Sequence, residues 1–70
     1  MTITAKELAN ELELDTTEML FDTLILMTKD NRVAAKSYFQ SLRSDSQKQF
    51  LNYIYEFADM GYYNFFNALI

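Results

Sequence analysis

Apolar residues recur along this chain at three- and four-residue steps, the spacing that lines one face of an α-helix. Leu8 and Leu12 open the series, and a dense block follows at Met19, Leu20, Phe21, Leu24, Ile25, Leu26 and Met27. Ala35, Tyr38, Phe39 and Leu42 continue it, then Phe50, Leu51, Ile54, Phe57 and Ala58, and finally Phe65, Phe66 and Leu69. Proline is absent and Gly61 is the only glycine. With so few helix breakers, helix is the default conformation.

Capping signals divide the pattern. Thr4 followed by Glu7 fits a capping box, in which hydroxyl and carboxylate satisfy each other's amide donors, and it predicts a first helix from about Ala5 to Leu12. Asp15 with Glu18 repeats the signal for a second helix from Thr16 to Met27. Its polar strip is confined to Glu18 and Asp22, so it should be nearly surrounded by protein and central. The stretch Thr28 to Asn31 starts a third helix that continues to about Leu42. Ser44 with Gln47 reads as a third capping box, opening a fourth helix from Asp45 to Met60 with Lys48, Asn52, Glu56 and Asp59 toward water. Gly61 then reads as a left-handed stop. Tyr62 to Ile70 forms a short fifth helix with Asn64 and Asn67 on its polar side, although its aromatic residues also suit a strand. The expected fold class is all-α, a compact bundle of four to five short helices in a single domain over residues 1–70.

Within residues 4–24, the stretch from Thr4 through Leu8, Ala9, Leu12 and Leu14 to Met19 resembles the opening of a helix-turn-helix motif. That family places a small residue in the first helix, here Ala9, flanked by apolar residues at Leu8 and Leu12. Leu14 follows the turn, and Met19 would anchor the second helix. The resemblance implies a helix-turn-helix-like N-terminal pair. Glu13 stands where the family usually has glycine, and Asp22 where it usually buries an apolar side chain. The positions that would face bases are Asp15, Thr16, Thr17, Leu20, Phe21 and Leu24, with no Lys or Arg before Lys29. Direct base readout calls for Arg, Lys, Asn or Gln, so the resemblance implies a fold fragment and not a helix that reads DNA.

The net charge of −4 hides an asymmetry. Residues 1–28 set Lys6 against Glu7, Glu11, Glu13, Asp15, Glu18 and Asp22, whereas residues 29–50 set Lys29, Arg32, Lys36, Arg43 and Lys48 against Asp30 and Asp45. A mildly acidic total disfavours nucleic-acid binding by the whole surface but permits a local basic patch. Cysteine and histidine are both absent. Disulfides, thiolate nucleophiles and the usual zinc ligands go with them, as does a base poised near neutral pH. No cofactor, no metal site and no catalytic residues are therefore expected, and the chain is read as a non-enzyme. The apolar runs are too short to cross a bilayer, and no targeting pattern is present. The expected setting is cytoplasmic, with no membrane partner.

Two surface features carry the functional expectation. Lys29, Arg32, Lys36, Gln40 and Arg43 recur at three- and four-residue steps and should line one edge of the third helix as a basic, partner-binding face. The plainer alternative is a solvated face, paired with the acidic first helix of the same chain. Second, every aromatic residue except Phe21 lies after Ser37. Tyr53, Tyr62, Tyr63, Phe66 and Ile70 are the expected residues of a self-association surface, which would make the chain a homodimer through its C-terminal region. The alternative is that these aromatic groups only complete the core. The function read from these features is a small protein-binding module. In style it is like phage or mobile-element inhibitors of host complexes, anti-CRISPR and other anti-defence proteins among them. The runner-up is a dimeric DNA-binding transcriptional regulator that uses the basic face of the third helix, and a pure assembly subunit is the third possibility.

Overall fold

Local capping and long-range packing together fix the elements. The computed structural model describes residues 2–70, and it contains α1 (Ala5–Glu11), α2 (Thr17–Asp30), α3 (Arg32–Ser41), α4 (Ser44–Phe57) and α5 (Met60–Asn67). The protein is an all-α bundle. At the start of α1 the Thr4–Glu7 capping box is formed: Thr4 Oγ1 accepts the Glu7 amide hydrogen at 3.2 Å, and the Thr4 amide donates to Glu7 Oε1 at 3.3 Å. At its end the chain reverses through Glu13, whose φ of 60° places it in the left-handed region. The Leu14 amide donates to the Ala9 carbonyl at 2.8 Å and the Glu13 amide to the Asn10 carbonyl at 3.1 Å. These are the two bonds of a Schellman stop, built here with glutamate where glycine is the usual choice.

The cap of α2 is Thr16 and not Asp15, with Thr16 Oγ1 accepting the Met19 amide hydrogen at 3.1 Å. The helix runs three residues beyond Met27, to Asp30. Asn31 then serves two helices at once. Its amide donates to the Met27 carbonyl, and its Oδ1 accepts the Ala34 amide hydrogen at 3.1 Å. The expectation that α2 is central fails. It buries Leu20, Phe21 and Leu24 but leaves Met19 43% and Leu26 61% exposed. Its contacts run to α1 and α3, and Phe21 reaches the Phe50 and Tyr53 rings of α4.

The centre of the core is Phe50 on α4. Its ring centroid lies 5.2 Å from Phe21, 5.8 Å from Phe39 and 4.8 Å from Phe66, which joins α2, α3 and α5 to α4. Such tilted and edge-on pairs add to the stabilisation from burial itself. Ala5, Leu8, Ala9, Leu42, Leu51 and Ile54 complete the core around them.

The Ser44–Gln47 capping box is not formed. Arg43 precedes α4 without a side-chain cap, and the Gln47 side chain instead donates through Nε2 to the Phe39 carbonyl at 3.0 Å, a tertiary bond that outcompetes the local one. Helix α4 also stops at Phe57, short of Met60, because Asp59 caps a new helix: its Oδ1 accepts the Gly61 amide hydrogen at 2.7 Å. Gly61 is therefore in the first turn of α5 and has no positive φ. A Cβ there would come within 3.0 Å of Asp59 Oδ1, so glycine lets the cap close. The C-terminal segment is helical as far as Asn67, with Phe66 buried and Asn64 and Asn67 exposed. Phe57, expected on the buried face of α4, is 70% exposed.

The N-terminus is stitched to the α3–α4 corner. Ile3 and Leu42 form a single parallel bridge, in which the Ile3 amide donates to Ser41 O at 3.0 Å and the Arg43 amide to Ile3 O at 2.8 Å. Among the described residues no helix is long and apolar enough to span a membrane.

Candidate partner-binding surface

The hinge at Asn31 decides where the basic residues go. The five expected on one helix edge divide among three segments: Lys29 in the last turn of α2, Arg32, Lys36 and Gln40 on α3, and Arg43 in the α3–α4 connection. A single edge would need a continuous helix, and Asn31 and Leu42 both interrupt it with non-helical backbone. Arg43 instead lies 3.7 Å from Asp45, an exposed contact. That is the only ion pair among the described residues. The basic face is thus not neutralised by the acidic first helix of the same chain.

Lys29 and Arg32 acquire new neighbours. They line an open cleft of about 510 Å³ together with Thr28 on one wall and Asp59, Gly61, Tyr62 and Phe65 on the other. The Arg32 guanidinium carbon lies 5.3 Å from the centre of the Phe65 ring, within cation–π range. Thr28 is buried and its hydroxyl donates to the Leu24 carbonyl at 2.7 Å. Asp59 is the helix cap described above, so its carboxylate is already engaged. What the cleft presents outward is an ammonium and a guanidinium beside two aromatic rings. Such a surface can take a carboxylate or phosphate oxygen while an apolar group packs on Tyr62 and Phe65.

A smaller depression of about 190 Å³ lies between Glu18, Tyr53 and Phe57. The Tyr53 hydroxyl donates to Asp22 Oδ1 at 2.6 Å and its ring stacks at 5.1 Å on Phe57. The hydrogen bond to Asp22, with burial and the charges of Asp22 and Glu18 adding to it, pushes the Tyr53 phenol up to about 12.

The expected C-terminal self-association surface is only partly available. Phe66 is fully buried against Phe39 and Phe50 and cannot contact a partner. Phe66 is the α5 ring that faces inward, and its packing fixes the helix on the core. Tyr53, Tyr62 and Tyr63 are half-buried and Ile70 is exposed. Of all these residues, only Tyr62 joins Lys29 and Arg32 in one cleft, while Lys36, Gln40 and Arg43 do not line it. Sequence reasoning missed Phe65 as the ring under Arg32. It also missed the Asp59–Gly61 cap, for which the Asp-x-Gly spelling was the available signal. Leu20, Phe21 and Leu24, three of the positions a reading helix would turn toward bases, are in the core. Among the described residues no group of three acidic side chains is placed to hold a metal ion.

Compared with known proteins, the chain matches no family model, no curated protein and no solved structure.

Proposed function

We propose that this protein is a non-enzymatic binding module whose partner is another protein, held at the Lys29–Arg32 cleft. One observation carries the reading: two cations without an ion-pair partner among the described residues stand beside two partly exposed aromatic rings in one concavity. Mixed cationic and aromatic composition is typical of the energetic centre of protein interfaces, where Arg and Tyr are enriched.

The test is capture from the source cell's lysate by the wild-type chain and by a Lys29→Glu/Arg32→Glu variant, each with and without nuclease. A protein retained by the wild type after nuclease treatment and lost with the variant supports the reading. Equal capture by both chains overturns it.

A DNA-binding regulator is the second reading, favoured by one observation: Arg32, Lys36 and Gln40 follow one another at four-residue steps on exposed positions of α3. DNA binding through that line would weaken steeply with salt, with a log–log slope of about −0.9 per phosphate contact. Binding that survives nuclease and falls only mildly with salt excludes it.

A further inference from the structure

The charges on α2 follow an order with a geometric consequence. Glu18, Asp22, Ile25 and Lys29 succeed one another at four-, three- and four-residue steps within one helix, so they share a face. At the helical rise their line is about 16 Å long. Arg32, the first residue of α3, lies beyond the Asn31 break but shares the larger cleft with Lys29, which places a second cation at the basic end of the line. The order is acid, acid, apolar, base, base. Turned about a two-fold axis near Ile25, it reads in reverse. Each charge then meets its opposite, with Asp22 against the second copy's Lys29 and Glu18 against its Arg32.

Two further observations bear on that symmetry. None of the four charges has an ion-pair partner within the chain among the described residues, where the single pair is Arg43–Asp45, although Asp22 Oδ1 accepts a hydrogen bond from the neutral Tyr53 hydroxyl. The middle of α2 also exposes Leu26, beside the half-buried Ile25 at the centre of the line. An apolar centre flanked by charge is the ordinary anatomy of a protein interface. A self-complementary patch is what a closed two-fold dimer requires.

We propose that two copies of this chain pair along this edge of α2, with the acidic Glu18–Asp22 end of each seated at the Lys29–Arg32 cleft of the other. The proposal rests on reading the cleft as a contact surface and names a second copy as its occupant. It moves self-association away from the C-terminal surface expected from sequence, where Phe66 is buried.

The experiment is sedimentation equilibrium of the full chain at low and high salt, from micromolar to sub-millimolar concentration, on the wild type, Glu18→Lys, Arg32→Glu and the double variant. The wild type should dimerise, and more weakly as salt screens the pairs. Each single reversal places like charges together twice per dimer and should weaken pairing at least about tenfold. An equimolar mixture of the two single variants restores both pairs and should recover dimer as a heterodimer, and the double variant should recover it alone. Circular dichroism checks that each variant is helical, and recovery in the mixture can come only from folded chains. A wild type that stays monomeric at sub-millimolar concentration in low salt overturns the proposal. So does a dimer indifferent to all three variants, or a monomer that binds an acidic foreign protein through Arg32. The last outcome sinks the self-pairing while the binding-module reading stands.

Discussion

The Ser46 hydroxyl on α4 accepts the Ala5 amide hydrogen at 2.9 Å, across 41 residues of sequence. Both residues are buried, so this is the only link by which the first amide of α1 is satisfied away from water. Ser46→Ala leaves that donor unpaired and should destabilise the fold by about 1–3 kcal/mol. Urea denaturation measures it. An unchanged midpoint would mean that the N-terminal stitch at Ile3 holds α1 without the serine.

Tyr53 and Asp22 make the corresponding link between α4 and α2. The folded phenol is pushed up to about 12 from its ordinary value of 10.0. A raised folded value means that the folded chain keeps the proton longer than the unfolded chain. The stabilisation is fully present below pH 10 and is lost as pH rises from there through about 12. Alkaline titration of tyrosinate absorbance should show one late step near 12 that Tyr53→Phe removes. The same variant should lose about 1 kcal/mol at neutral pH and flatten the alkaline limb of the stability profile.

Glu13 carries a left-handed backbone with a β-carbon. Glycine adopts that conformation without the steric penalty. Glu13→Gly should therefore stabilise the protein by about 1 kcal/mol, read as a higher melting temperature with unchanged helicity. A lower melting temperature would show that the carboxylate makes a compensating contact.

Two phenylalanines on α4 should respond in opposite ways to truncation. Phe50 touches rings from three other helices, and Phe50→Ala should cost about 3–5 kcal/mol. Phe57 is mostly exposed, and Phe57→Ala should change stability by no more than about 0.5 kcal/mol. Parallel chemical denaturation of the two variants decides it. Similar losses would place Phe57 in the core.

The same contrast explains what the sequence reveals. The Thr4–Glu7 box is legible because both partners lie within one turn and nothing else competes for them. The Ser44–Gln47 box has the same spelling, yet Gln47 answers to the Phe39 carbonyl, which is eight residues away in sequence. Five helices and most of the core follow from periodicity. Gly61 misleads because glycine marks helix ends generally, and only the carboxylate of Asp59 two residues earlier turns it into a beginning. Lys29 and Arg32 are visible as cations, but their aromatic neighbours are not. Phe65 comes beneath Arg32 only because Phe66, next to it, is packed on Phe39 and Phe50. That placement depends on contacts between residues far apart in the chain, which periodicity does not encode.

Asn31 is a shared fastener. Because its amide closes one helix and its side chain opens the next, neither end can fray alone: melting the last turn of α2 releases the residue that pins the first turn of α3. Native-state hydrogen exchange should find the amides of Asn31 and Ala34 opening together, at one common free energy, as a single cooperative unit at the corner where Lys29 and Arg32 are displayed.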